Sequence, residues 1–415
     1  MEDHVPQADC TLHDDASRIF PEIRKSFAKV LGSLSSPVRR PRDITRVLGL
    51  HRTLAWKIMQ VVDTEDPFAI APYIPGTEGI NIFLSAAERC ATPPEVINQA
   101  RAAIADFEKM IAEHVGDRAS LELMLGASTR KNRPQIDLSY RKAGFQCGSY
   151  TWGVQARSRL LCAILYPDAD PMRVRAAKIA GFVNLRRVRR ETRWTLWRTT
   201  NVDNEDGTSL NNAFVPIDPE GAQPRGVPLL QPFSTVPPSQ IERVVLPAST
   251  EERWAPGSVG DKFAITCITG EVLRKPMPRY RTEQETRHEF GQQVYTPVEV
   301  LVQDLAVHRD LYGRVAPELT VYSELIGRTW YDCPPEVLKD QELGAFPTQV
   351  EYLGRGADAL ETSDVPQYPD IMRFAFGKLG WDTEACDMYR ARMEYPVLST
   401  ATVLSFEIPA APAGG

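Results

Sequence analysis

The stretch Arg42-Asp-Ile-Thr-Arg-Val-Leu-Gly-Leu-His-Arg-Thr-Leu-Ala-Trp-Lys-Ile-Met-Gln-Val-Val62 decides how the N-terminal part of the chain is read. Its apolar residues recur at helical spacing in two separate sets. Ile44, Val47 and Leu48 share one face, and Leu54, Ala55, Ile58 and Val62 share another. Between the sets, Gly49 stands where a tight turn needs a positive φ. Leu50 follows as an apolar plug, and Pro41 suits a first helical position. The pattern predicts two short helices joined by a turn, with Ala55 small enough to let them cross closely.

This arrangement resembles the helix-turn-helix of bacterial transcriptional regulators, in particular the winged-helix kind with the signature D-I-x-x-x-L-G-L-H-R-T. One departure is Thr45, where such families most often keep Ala. The resemblance covers about residues 20 to 90 and none of the remainder. It implies that the second helix enters the major groove of double-stranded DNA and exposes His51, Arg52, Thr53, Trp56 and Lys57. Arg52 would bond guanine O6 and N7 in bidentate fashion, and Thr53 a thymine methyl or a base edge. Arg39, Arg40, Arg42, Arg46 and Lys57 read as phosphate contacts, which position without reading sequence. A large exposed indole is unusual at a DNA face, so Trp56 is expected to pack on a neighbouring element. Tyr73 to Phe83 is the stretch available for a short wing hairpin.

Charge supports a nucleic-acid partner. The 415-residue chain has a net charge of −6, but Pro21 to Val62 holds nine Lys or Arg against Glu22 and Asp43 alone, a local +7. Phosphate neutralisation supplies most non-specific affinity for DNA. The plainer alternative, a solvated charged face, explains many basic runs. At 43% hydrophobic and 25% charged the composition is that of a globular protein, long enough for two domains. Cysteines 10, 90, 147, 162, 267, 333 and 386 are scattered and form no C-x-x-C pair, so neither a disulfide framework nor a zinc ribbon is expected. Met1 to Ser17 carries five acids and no Lys or Arg, unlike a targeting peptide. No apolar run reaches the length of a membrane span. A cytoplasmic location without membrane contact is the expectation.

Further along, Thr92-Pro-Pro-Glu95 reads as a capping box opening a helix whose apolar face is Ile97, Ala100, Ile104, Phe107, Ile111 and Val115. Such a helix serves as a spacer, a dimerisation element or a core helix. Past residue 130 the character changes. Lys262–Leu273, Pro297–Val307, Glu318–Leu325 and Thr400–Ile408 read as strands. In the last, Leu404, Phe406 and Ile408 face one way and Ser405 and Glu407 the other. Asp370 to Met393 reads as a helix. Val202 to Gln240, with seven prolines and three glycines, reads as a long loop that is mobile or functional. Gly144 to Gly153 reads as a turn. The expected architecture is therefore α+β and multidomain. An acidic tail (1–18) leads into an all-α helix-turn-helix domain (19–130), and a larger, mainly antiparallel β-rich domain (131–415) follows.

A second basic run places Arg186, Arg187, Arg189, Arg190, Arg193 and Arg198 around Trp194 and Trp197. Aromatic and basic residues so interleaved can stack on bases. They equally suit a sheet edge guarded by charge, or a surface paired with the acidic tail. Catalytic signals are sparse. His308-Arg-Asp310 lacks the phosphate loop of a kinase, and no Walker motif, G-x-S-x-G or dinucleotide fingerprint is present. His4, Cys10 and His13 sit in the tail. No metal, cofactor or enzymatic activity is expected, and only convergence of His288, Glu289, Asp304 and His308 would point to catalysis. The preferred reading is a dimeric DNA-binding regulator whose β-rich domain senses a small-molecule effector or assembles, its dimer matching half-sites about 34 Å apart. The alternative is a β-rich binding or self-assembling protein whose helical module docks protein.

Overall fold

In the computed structural model, which describes residues 11–128, 133–200, 214–222, 227–246, 249–283, 285–344 and 349–412, helices come first and sheets second. The chain divides into two units, Met1–Asp137 and Leu138–Gly415.

The first unit contains helices α1 (Leu12–Gly32), α2 (Pro41–Leu48), α3 (Arg52–Asp63), α4 (Thr77–Arg89), α5 (Pro94–His114) and α6 (Arg118–Ser128), with a 3-10 turn at Pro67–Tyr73. Residues 11–18, expected in a flexible tail, form the first turns of α1. Thr11 and Asp14 cap one another reciprocally: Thr11 Oγ1 accepts from Asp14 N–H (3.3 Å) and Asp14 Oδ2 from Thr11 N–H (3.1 Å). Acids at a helix start also oppose its positive end, so the local acidity favours helix here. The remainder of that tail, Met1 to Cys10, lies outside the described residues.

Helix α5 packs along α1, and Ile97, Ala100, Ile104 and Phe107 share a core with Phe20, Ile23 and Phe27 of α1. Of the three roles open to this helix, it fills that of a core element. Its start differs from expectation: Pro93 is the N-cap, without a side-chain hydrogen bond. The Thr92 hydroxyl instead accepts from Ser33 Oγ (3.2 Å). Ile80, Phe83 and Leu84 of α4 complete the core.

Most of α7 (Arg133–Trp152) belongs to the second unit. It absorbs nearly all of Gly144–Gly153, the expected turn. Gly148 lies close to Leu398, whose Cδ1 would have to move aside for a Cβ placed there (2.6 Å). The strands that follow are β1 (Val154–Pro167), β2 (Arg173–Arg187), β3 (Trp194–Thr200), β4 (Phe214–Pro216), β5 (Ile241–Leu246), β6 (Ser249–Trp254), β7 (Ile265–Leu273), β8 (Met277–Pro278), β9 (Arg287–Val294) and β10 (Val298–His308). After the one-turn helix α8 (Arg309–Tyr312) come β11 (Glu318–Ser323), α9 (Pro335–Leu338), β12 (Val350–Arg355), α10 (Tyr368–Leu379), β13 (Cys386–Glu394) and β14 (Thr400–Glu407).

The central sheet runs β12-β13-β10-β1-β2-β7-β4, with β8 also on β2. Strands β1 and β10 pair in parallel; every other pairing among the described strands is antiparallel. Ile371, Met372, Ala375 and Phe376 of α10 cover one face, over Leu160, Cys162, Val302 and Met388. Leu404 and Phe406 of the smaller sheet β11-β14-β9 cover the other, over Ala163, Leu165, Leu305 and Val307. A third sheet, β3-β6-β5, holds the fully buried Trp254.

All four runs expected to be strands contain one, and two further expectations are corrected. Asp370–Met393 is a helix only to Leu379; Trp381 folds back onto Phe376, with ring centroids 6.1 Å apart, and β13 follows. In β14, residues Thr400 to Phe406 are all buried, Ser405 included. As the middle strand of its sheet it is covered as far as Phe406, and Glu407 beyond it is exposed. The described part of the 202–240 segment is held against β7, through Ile217 N–H to Gly270 O (3.0 Å) and Leu230 N–H to Ile268 O (2.9 Å); residues 201–213 and 223–226 lie outside the description. No helix of the described residues is long and apolar enough to cross a membrane.

Candidate nucleic-acid interface

Helices α2 and α3 are built as their side chains require. Pro41 occupies the first turn of α2, where its missing N–H costs nothing. Asp43 accepts from the backbone N–H groups of Arg39 (3.2 Å) and Arg40 (3.0 Å). These bonds, that of Arg39 foremost, hold its carboxyl below the usual aspartate range. Gly49 ends α2 at φ 67°, ψ 22°, a left-handed conformation that a side chain would strain. Three residues, Gly49, Leu50 and His51, separate the helices, a connection of helix-turn-helix length. Leu50 is buried between them with Ile44, Leu48, Ala55 and Ile58. Arg24 of α1 donates to Val62 O (3.0 Å), tying down the end of α3. Met59 and Val61 are buried too, while Leu54 and Val62 are only partly so.

The outward side of this pair carries His51, Arg52, Thr53 and Trp56 exposed, with Lys57 half-buried beside them. His51 has a second duty as N-cap of α3, its Nδ1 accepting from Thr53 N–H (3.3 Å), which leaves only Nε2 to face outward. Arg39, Arg40, Arg42 and Arg46 are exposed. Arg46 lies 3.6 Å from Asp43; the side chains of Arg39, Arg42, Arg52 and Lys57 make no hydrogen bond or salt bridge to the described residues. Trp56 keeps 44% of its surface exposed while meeting the ring of Tyr73 edge-on at 5.5 Å. The stretch available for a wing hairpin forms none. Tyr73 closes a 3-10 turn and Thr77–Phe83 belongs to α4; the apolar residues Ile80 and Phe83 follow helical spacing into the core.

The second basic run is engaged elsewhere. Arg187 is buried, its guanidinium 3.3 Å from the centre of the Trp254 ring and bonded to Ala255 O. Desolvation pulls its pKa down to about 10. Arg186 reaches Asp261 (3.0 Å) and Glu299 (3.1 Å), Arg193 Glu242 (3.1 Å), and Arg198 Glu251 (3.3 Å). Arg189 bonds Thr151 O, and Arg190 is exposed. Three of the six arginines, Arg186, Arg193 and Arg198, are thus neutralised within their own unit by acids far off in sequence, and Arg187 is withdrawn from any surface partner.

Nor do the four residues considered for catalysis converge. His288 lies among Phe290, Tyr312 and Phe406 beneath the smaller sheet. Asp304 is on the α10 side of the central sheet, in a two-pronged bond to Arg390 (3.0 and 2.8 Å). Glu289 is exposed. His308 caps α8 (Nδ1 to Asp310 N–H, 3.2 Å) and sits against Tyr166. No family model, curated protein or solved structure matches the chain.

Proposed function

We propose that the chain is a DNA-binding regulator whose first unit reads double-stranded DNA with α3. The observation that supports this best is the joining of α2 and α3 through Gly49 with a fringe of cations, of which Arg39, Arg42, Arg52 and Lys57 make no salt bridge to the described residues, in an otherwise acidic protein. Arg52 and Thr53, in the first turn of α3, are the base-reading residues. Arg39, Arg42, Arg46 and Lys57 contact phosphate, and His51 offers one Nε2 contact while capping. The chain acts as a dimer on two half-sites, and the β-rich unit supplies ligand sensing or assembly.

The test is an electrophoretic shift on fragments recovered from a random pool, at several salt concentrations. Arg52→Ala is expected to cost about 1–3 kcal/mol and to relax specificity at one position. Arg42→Ala is expected to weaken all sequences alike and to lower the salt slope by about 0.9. Absence of binding by the full chain at low salt refutes the reading. Exposed Trp56 favours a second reading, in which α3 docks protein. Trp56→Ala would then abolish self-association seen by light scattering, while Arg52→Ala would leave it intact.

A further inference from the structure

We propose that the second unit binds a small doubly charged oxyanion, a phosphate monoester or a dicarboxylate, in a cleft centred on Arg314. The inference rests on this unit alone and stands whether or not the first unit binds DNA.

The cleft measures about 510 Å³ and is lined by Arg281, Arg287, Arg314, Tyr312, Phe406 and Glu318, among others. A neighbouring cleft of about 520 Å³ shares Arg314 and adds Arg309 and Arg355. Both volumes are those of small-molecule sites. The chain reaches Arg314 through Gly313, at φ 64°, ψ −143°, a conformation open to glycine and strained for other residues. The Arg314 guanidinium lies 3.8 Å from the centre of the Tyr352 ring and makes no hydrogen bond or salt bridge to the described residues. Contact with the ring holds the guanidinium in place on one side, and its N–H groups remain for a partner. That is the geometry in which arginine grips a carboxylate or phosphate through two parallel bonds.

In the first cleft the other two arginines pair with exposed carboxylates, whereas Arg355 in the second is held by the buried Asp387 (2.9 Å). Arg287 bonds Glu318 (3.2 Å) and Ser405 Oγ (3.0 Å), and Arg281 lies 3.6 Å from Glu407. Both carboxylates are about three-quarters exposed, and ion pairs of that kind contribute little. An incoming dianion can therefore bridge Arg314 and Arg287 while Glu318 turns to water. Phe406, Val315 and Ile408 supply an apolar wall for its carbon skeleton. Against a nucleic-acid strand, the two clefts interleave five arginines with four carboxylates, Asp310, Glu318, Asp387 and Glu407. That alternation repels a phosphate track but accommodates one compact anion.

Calorimetric titration of the full chain, without DNA, tests this with glycerol 3-phosphate, succinate and inorganic phosphate, and acetate at matched ionic strength as control. Binding by either dianion that Arg314→Gln weakens at least about tenfold supports the site; which one binds identifies the class. Arg314→Lys, which keeps the charge but loses the planar fork, is expected to fall between. Arg314 is exposed, so unliganded melting should fall by no more than the loss of its ring contact implies, about 0.5–1 kcal/mol, and a cooperative transition excludes misfolding. No saturable binding by any dianion, or equal affinity in wild type and Arg314→Gln, overturns the proposal.

Discussion

Replacing Gly49 by alanine isolates a single backbone conformation. A Cβ built there meets nothing within 4 Å, so clashes contribute nothing and the cost is intrinsic to φ 67°. An L-residue held in the left-handed region costs about 1–2 kcal/mol. Alanine recovers about 0.4–1 kcal/mol by narrowing the unfolded ensemble. The net expectation is a local destabilisation of about 1 kcal/mol, and asparagine, which tolerates this region, should cost less. Gly32, the last residue of α1, is the internal control. Its Cβ also meets nothing within 4 Å and its φ is not left-handed. The same chemical change there should be neutral or stabilising by up to about 1 kcal/mol. Hydrogen exchange read by mass spectrometry on peptides covering 41–63 measures the effect as a change in local opening. Gly49→Ala should speed exchange about fivefold. The reasoning fails if Gly49→Ala leaves exchange unchanged, or if both substitutions shift it in the same direction.

Two further expectations concern the second unit. Asp304→Asn leaves the Arg390 guanidinium buried without its counter-charge, at a cost of about 3–5 kcal/mol; urea unfolding should show a lower midpoint, and an unmoved one contradicts the role given to the pair. His288 is held neutral by burial, its pKa pulled down from 6.5 to about 4. Between those values the unfolded chain binds the extra proton, so stability falls as the pH drops, by up to about 1.4 kcal/mol per pH unit. This contribution is complete above pH 6.5. In His288→Gln it should vanish, flattening the melting-temperature profile between pH 6.5 and 4; parallel profiles for the two proteins refute it.

The readable parts of the sequence were those where one face of an element meets water. Ile44, Leu48, Ala55 and Ile58 alternate with charge at helical spacing, so α2 and α3 could be placed from residues alone, and Gly49 marked the break. Strands β1 and β2 carry no such signal. Leu160 to Leu165 is buried on both faces at the centre of a sheet, and such a strand carries no alternation to detect. The stretch open to a wing is ambiguous for a related reason: Ile80, Phe83 and Leu84 suit a helix as well as a hairpin, and tertiary packing decides for the helix. At the second basic run the arginines were visible, but their partners Glu242, Glu251, Asp261 and Glu299 lie dozens of residues away. Arg281, Arg287 and Arg314 are equally scattered, and only the fold of β9, β14 and the segment after α8 gathers them.

The parallel pairing of β1 with β10 sets the tempo of assembly. The β1–β2 hairpin can form from neighbouring residues, but its other edge waits for a strand that begins about 110 residues after the hairpin ends, and closing so long a loop slows folding. During synthesis at about 5–20 residues per second, that edge stays open for roughly ten seconds. An unpaired, apolar strand edge is a template for association with other chains. The second unit should therefore refold slowly from denaturant and lose yield steeply with protein concentration, while the first unit, rich in local helical contacts, regains its structure early.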